Sequence, residues 1–289
     1  MLKRIFLIFL CFGCSRNAPQ PEPRSKPIVL VSIAPYQFLV GRIAGEGIEV
    51  QAVVPPGANP HAFEPTSHQV KEMAEGVIWF RIGEPFEEKI LPVLKTKNRE
   101  LIAYDLREGI QLIEEGHSLG CSHCSMDHFD RHIWLSPKLA IAQAKAIEGV
   151  LSEKFPEKKE LFQQNLERLS AELQFLHEEI VALLEPIVER VILVSHPAFG
   201  YFCQDYRFEQ LSVEYEGKDP RPKHLEQVLQ QAEYAEVALA LPQYNNKGAQ
   251  LIAERLHVPV HLIDPYSENY FETLRKLAHL IADPSKDYE

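Results

Sequence analysis

Two series of short apolar segments, separated by one long stretch of helical character, constrain the fold of this chain more than any other feature. Strands that alternate with helical stretches in this way favour parallel βα units. The pattern therefore predicts an α/β fold with two lobes, each holding a mainly parallel four-stranded sheet flanked by helices. The segments are IVLVSIA (28–34), IEVQAVV (48–54), GVIWFRI (76–82) and LIAYDL (101–106), then RVILVSH (190–196), RFEQLSV (207–213), EVALALP (236–242) and VPVHLID (258–264).

The stretch between the two series, residues 137–189, is rich in Ala, Leu, Glu, Gln and Lys. Ser136 can cap a helix that begins at Pro137, because Ser accepts hydrogen bonds from free backbone N–H groups and Pro is favoured in the first turn. After Pro156, the spacing of Leu and Ile predicts one long amphipathic helix from about 157 to 184. Such a helix would be roughly 40 Å long and would join the lobes rigidly. Two ordinary surface helices within one larger domain are the alternative.

The N-terminal residues have the pattern of an export signal. A basic pair precedes the apolar run Ile5–Phe12, which is too short for a permanent membrane-spanning helix of about 20 residues. Cys14 follows a small residue, as in lipoprotein signal peptides, and would become the lipidated first residue. Cleavage to a free periplasmic protein is the alternative. We expect a signal peptide at 1–14 and a flexible, Pro-rich tether at 15–27.

The remaining chain is expected to form an N-terminal lobe (28–136), linking helices (137–189) and a C-terminal lobe (190–289).

The chain carries 30 Lys and Arg against 41 Asp and Glu, a net charge of -11. This balance argues against a broad basic surface for nucleic acid and tolerates cationic ligands. We expect a monomer in the periplasm or at the cell surface, held to the membrane by lipid on Cys14 or free.

Three histidines occur in loops just after apolar segments or directly before a helix. His61 lies in a loop rich in Pro and Gly, His132 precedes the predicted helix start, and His196 ends a strand segment. Asp264 ends the last strand segment in the same manner. Because ligands bind at the carboxyl ends of strands in open α/β sheets, we expect His196 and Asp264 to share one edge.

Imidazole nitrogens indicate the chemistry of such a site. Neutral imidazole is a common zinc ligand, and three histidines with a carboxylate or water complete a tetrahedral shell. Each histidine alone is more often a hydrogen-bonded structural residue. Only the joint pattern favours a metal site, and it requires that every pair of the three imidazoles lie within about 8 Å.

These motifs, in this order, resemble the solute-binding proteins of ABC transporters for zinc and manganese, the ZnuA/TroA-like family. The likeness extends from about Ile28 to Ile281. It implies two lobes joined by a rigid helix, no enzymatic activity, and capture of a metal ion for delivery to an ABC-transporter membrane permease. The matching segments are Pro60-His61 with Phe63-Glu64-Pro65, HIWLSP (132–137), SHPAFGYF (195–202) and Asp264-Pro265. By this resemblance the metal ligands are His61, His132, His196 and Asp264.

The resemblance also bears on the identity of the metal. Manganese-type relatives carry a carboxylate where this chain has His196, and three nitrogen ligands favour Zn²⁺ over Mn²⁺ or iron. Mn²⁺ is the alternative within the same family. Water replaces or accompanies the residue equivalent to Asp264 in some relatives. Glu64 is expected either to orient His61 as a hydrogen-bond acceptor or to begin a helix.

Residues 117–128 have an unusual composition for this chain. Zinc-type relatives often insert a His-rich loop at this place, and we expect an auxiliary metal-acquiring loop that passes zinc toward His132. A Cys121–Cys124 disulfide, a second structural zinc site, and a mobile solvated loop without metal are the alternatives. The candidate ligands of the loop are His117, Cys121, His123, Cys124, Asp127 and His128.

A receptor has two alternatives from other classes of function. A zinc metallohydrolase needs a general base near an open zinc position, but the chain has no H-E-x-x-H motif, and nothing selects Glu64 or Glu214 as that base. A surface adhesin is the second alternative.

Cys203 lies in an apolar context, which favours a buried inert thiol over a metal ligand. If three histidines bind the ion, its affinity should fall below about pH 6.5.

Overall fold

A computed structural model describes residues 26–114, 129–188, 190–214, 222–286 and 288. The predicted signal peptide with Cys14, most of the predicted tether and the candidate ligands of loop 117–128 lie outside these residues. Among the helices within the described ranges, none is long and apolar enough to cross a membrane.

The first sheet has four parallel strands in the order β2-β1-β3-β4. The central strands β1 and β3 are almost entirely buried, whereas the edge strands β2 and β4 are only partly buried. This difference follows from the sequence, because a strand covered on both faces needs a continuous apolar run. The elements are β1 (Ile28–Val31), α1 (Ala34–Ala44), β2 (Glu49–Ala52), α2 (Ser67–Met73), β3 (Ile78–Arg81), α3 (Pro85–Lys97) and β4 (Ile102–Asp105).

The second sheet repeats this topology, with four parallel strands in the order β6-β5-β7-β8. The apolar strands β5 and β7 are again central and buried. The elements are β5 (Val191–Val194), α6 (Gly200–Tyr206), β6 (Glu209–Ser212), α7 (Pro222–Gln231), β7 (Ala238–Ala240), α8 (Lys247–Leu256), β8 (Val260–Leu262) and α9 (Tyr270–Ala282).

Two helices connect the sheets, α4 (Pro137–Lys154) and α5 (Lys159–Leu184). The Ser136 hydroxyl accepts a hydrogen bond from the backbone N–H of Leu139 at 3.1 Å, so the predicted cap is present. Helix α5 has 26 residues, which corresponds to about 39 Å. It packs against α1 and α4, and also against α9, which follows the last strand of the second sheet. The predicted fold of two α/β lobes joined by a long helix is therefore confirmed.

The buried apolar face of α5 explains how one helix can pack against elements of both lobes. A single apolar stripe is buried along its whole length, as expected when residues repeat at helical spacing. The helix begins two residues later than predicted, because Pro156–Lys158 forms a 3-10 turn. The buried residues are Phe162, Leu169, Leu173, Leu176, Ile180 and Leu184.

Candidate metal centre

Three imidazoles meet between the two sheets. The ring centroids of His61 and His132 are 5.3 Å apart, those of His61 and His196 5.1 Å, and those of His132 and His196 5.2 Å. One nitrogen of each residue lies within 4.8 Å of the others. All three separations are well inside the limit of about 8 Å that a shared ion sets.

The distance between the ligand nitrogens of His61 and His196, one from each lobe, is close to that in a zinc site. The Nε2 atoms of His61 and His196 lie 3.3 Å apart. Two nitrogens that bind one tetrahedral Zn²⁺ at about 2.0–2.1 Å lie about 3.4 Å apart. One imidazole from each lobe therefore stands at the separation that a single bound ion would require.

His61 is held by its own loop and by the carboxylate of Glu84, which follows the next strand, β3. It lies in a 3-10 turn, where the side chain of Asn59 accepts a hydrogen bond from the His61 backbone N–H at 2.9 Å. Its Nδ1 contacts Oε2 of Glu84 at 2.8 Å. Glu84 is fully buried just after β3. Burial disfavours its charge, but the charge of His61 and the hydrogen bond outweigh this effect and lower the pKa of Glu84.

The prediction that Glu64 orients His61 is wrong. The Glu64 side chain is exposed and pairs with Nζ of Lys89 at 2.8 Å. It also does not begin a helix, since the 3-10 turn ends at Ala62 and α2 begins at Ser67. Glu84 takes the orienting position instead.

His132 is held by Asp130, which lies two residues earlier. Asp130 Oδ1 is 2.7 Å from His132 Nδ1 and also accepts a hydrogen bond from the His132 backbone N–H at 2.8 Å. Both side chains are buried. Burial, assisted by the charge of His61, lowers the pKa of His132 well below its usual value. Burial also raises the pKa of Asp130 to about 7, against the hydrogen bond from the His132 backbone.

His196 is held by Glu214, which follows β6. Its Nδ1 lies 2.7 Å from Oε2 of Glu214. Burial lowers the pKa of His196 to about 3, although the hydrogen bond to Glu214 opposes the shift. The ring of Tyr244 stacks on the imidazole with centroids 3.9 Å apart and planes at 11°. Glu214, considered above as a catalytic base, is therefore engaged with a histidine.

The three histidines share one arrangement. Each directs Nδ1 toward a carboxylate, and when that carboxylate is ionised and the imidazole is neutral, Nδ1 carries the proton and Nε2 keeps its lone pair for a ligand. The carboxylates also add negative charge around the imidazoles, which suits a divalent cation. None of these three carboxylates was predicted from the sequence to orient a histidine. Glu84 and Glu214 each follow a strand, which is the same signal that singled out Asp264.

Asp264 has a different environment. Its Oδ1 accepts hydrogen bonds from Gln243 Nε2 at 2.8 Å and from the Tyr266 backbone N–H at 2.9 Å. It lies just beyond β8, as His196 lies just beyond β5, at the carboxyl ends of the same parallel sheet. Among the described residues, the cluster of mutually close ligand atoms consists of the three histidines and does not include it. Its role as the fourth ligand stays a prediction.

Cys203 lies outside this cluster among the residues that the structure describes. The thiol is buried in α6, and burial raises its pKa far above the ordinary value. A thiol that stays protonated is a poor metal ligand. The prediction of a buried thiol is confirmed.

Known proteins resemble this chain over nearly its whole length. The family model described as ZnuA, zinc-uptake complex component A, periplasmic, matches residues 29–283. A protein of Chlamydia trachomatis serovar D, named as a presumed metal-binding protein, is 31% identical over 288 residues, with 98% of this chain and 100% of that protein covered.

Two solved structures share the fold at similar identity. A crystal structure of ZnuA has a TM-score of 0.82 and 32% identity, and the match covers 89% of this chain and 98% of that one. A ZnuA variant lacking residues 138–173 in its own chain, solved with zinc bound, has a TM-score of 0.82 and 30% identity, with 91% and 100% covered.

Proposed function

Because this chain belongs to the ZnuA family of periplasmic zinc-uptake components, we propose that it captures Zn²⁺ between its lobes and delivers the ion to an ABC importer. The observation that carries this proposal is the convergence of three imidazoles whose ligand nitrogens lie within 4.8 Å of one another. Members of this family are solute-binding proteins, so the ion is cargo and no catalytic step is needed.

The proposed ligands are the Nε2 atoms of His61, His132 and His196. Their orientation supports this assignment, because each Nδ1 is engaged with a carboxylate at 2.7–2.8 Å. The fourth position of a tetrahedral shell belongs to Asp264 or to a water molecule. For Asp264 to bind, its carboxylate must turn from the contacts with Gln243 and the Tyr266 backbone.

Zinc is favoured over manganese by the donor atoms. Three nitrogens bind Zn²⁺ more strongly than Mn²⁺, which prefers oxygen ligands. The ZnuA variant of similar fold was solved with zinc bound, which agrees with this choice. Mn²⁺ is the competing cargo that the experiment below distinguishes.

The cellular arrangement follows from the same proposal. Lipid on Cys14 would hold the protein to the outer face of the membrane, near the permease that receives the ion. Residues 117–128 would form an auxiliary loop that collects zinc near His132. The protein would act as a monomer, since one chain contains the whole set of ligands.

Calorimetric titration of the metal-stripped mature protein with zinc and with manganese tests the proposal. We expect one tight zinc site with a Kd well below about 1 µM and weaker manganese binding. His196→Ala should remove the tight site. The matched control is His68→Ala, since His68 is exposed in α2 and pairs with Glu72; this variant should bind zinc normally. Zinc binding weaker than about 1 µM, or equal loss in both variants, would overturn the proposal.

A further inference from the structure

A tyrosine hydroxyl lies within hydrogen-bond distance of the proposed ligand nitrogen of one histidine. Tyr266 lies in the loop after β8, and its side chain is buried. Its hydroxyl oxygen is 3.1 Å from Nε2 of His132. The same oxygen is 3.1 Å from the hydroxyl of Tyr244, whose ring covers His196. Two of the proposed ligands are thus connected through a pair of tyrosines.

The protons in this chain of contacts can be assigned from the donors and acceptors available. An ionised Asp130 carboxylate can only accept, so it accepts from His132 Nδ1, and Nε2 of His132 is then an acceptor. The Tyr266 hydroxyl therefore donates to Nε2, and its oxygen accepts from the hydroxyl of Tyr244. The lone pair that would bind an ion is engaged by this hydrogen bond.

The position of the hydroxyl is fixed by contacts on both sides of Tyr266. The indole Nε1 of Trp134 donates to the backbone oxygen of Pro265 at 2.8 Å. The Asp264 carboxylate accepts from the Tyr266 backbone N–H at 2.9 Å, and the Tyr266 ring packs on Trp134 with centroids 5.5 Å apart. Since Trp134 is two residues from His132, these contacts fix the position of the Tyr266 loop relative to His132.

We propose that Tyr266 sets the affinity of the site, because its hydroxyl competes with the ion for Nε2 of His132. This inference rests on the proposed function. Binding of zinc to Nε2 breaks the hydrogen bond, so the bond stabilises the ion-free protein alone. His132 is then the ligand that joins the ion last and leaves it first. The competition favours release, which a receptor that hands over its cargo requires.

The test is Tyr266→Phe in the mature protein, with zinc binding measured at pH 8 by competition with a chelator. Removal of the hydroxyl should tighten binding by about 3- to 10-fold, the factor that one net hydrogen bond provides. The gain should come mainly from slower zinc dissociation, measured by stopped-flow transfer to the chelator. The melting temperature of the ion-free protein should fall, whereas that of the zinc-loaded protein should change little; a merely structural role would lower both.

Tyr234→Phe is the control, because it also removes one tyrosine hydroxyl. Tyr234 is exposed and ends the 3-10 turn before β7. Zinc affinity should therefore change by less than about twofold. An equal gain in both variants would contradict a specific competition at His132.

Two results separate the inference from the function on which it rests. If the unmodified protein binds zinc tightly and Tyr266→Phe binds it equally or more weakly, the competition is overturned and the receptor proposal stands. If the unmodified protein does not bind zinc, the receptor proposal itself is overturned. The Phe ring retains the contact with Trp134, and the melting curve of the zinc-loaded variant verifies that it folds.

Discussion

The Nε2 atoms of His61 and His196, which follow strands of different sheets, lie 3.3 Å apart. An ion bound to both nitrogens would link the two lobes directly. The long helix α5 already packs against elements of both lobes, so the ion closes a site that is largely formed rather than drawing together distant halves.

Zinc should stabilise the folded protein. An ion that binds only the native state adds about 2.7 kcal/mol to the free energy of unfolding when its free concentration is 100 times Kd. Thermal unfolding with and without zinc measures this effect. His61→Ala should abolish the increase, whereas His68→Ala should leave it unchanged.

Replacement of Glu84 by Gln should weaken zinc binding by about 10- to 100-fold, the usual cost of losing a partner that orients a histidine ligand. Glu84 holds Nδ1 of His61 at 2.8 Å. Glu64→Gln is the control, since Glu64 is exposed and paired with Lys89. Calorimetry should find normal affinity in this control. A loss with Glu64→Gln and none with Glu84→Gln would refute the assignment.

Glu64 and Glu84 differ in whether their position relative to His61 can be predicted from the sequence. Glu64 is close to His61 along the chain, and this proximity suggested an orienting role. Glu84 is 23 residues away, and only the parallel arrangement of β1, β2 and β3 brings its loop to His61. Local sequence patterns carry no such information about distance in space.

Other features were predictable for a physical reason. The central strands were visible as continuous apolar runs because both of their faces are covered. Helix α5 was visible because its buried stripe repeats at helical spacing. The histidines were found through motifs. Tyr244 and Tyr266 were missed, because a tyrosine after a strand usually serves packing, and its hydroxyl contact appears only when the tertiary structure is known.

The pH dependence of zinc binding should be shallower than the sequence suggests. Three imidazoles with the ordinary pKa of about 6.5 would lose about 60-fold in affinity between pH 8 and pH 6, because protons compete with the ion. Asp130, whose pKa burial raises to about 7, adds up to about tenfold if its proton is released when zinc binds His132. Burial lowers the pKa of His196 to about 3 and lowers the pKa of His132 well below its usual value, so zinc has fewer protons to displace from these two residues.

The affinity is therefore expected to fall by less than about 40-fold from pH 8 to pH 6. Chelator competition at fixed ionic strength measures this change. A loss of about 600-fold would mean that His132 and His196 titrate as exposed histidines do, which would contradict their burial at the site.

Deletion of residues 117–128 should leave one tight zinc site. The proposed ligands lie outside this loop, and His132 follows it. Titration should give one zinc per chain with nearly normal affinity, and any weaker sites contributed by the loop should disappear. Loss of all tight binding in the deletion variant, with the protein still folded by circular dichroism, would make the loop the primary site.

X-ray absorption at the zinc edge, on protein loaded with one equivalent of zinc, identifies the atoms that bind the ion. We expect three imidazole nitrogens at about 2.0–2.1 Å with one oxygen completing the shell. The His196→Ala variant should lose one of these imidazole contributions. A spectrum dominated by sulfur at about 2.3 Å would assign the ion to Cys121 and Cys124 and contradict a site built from His61, His132 and His196.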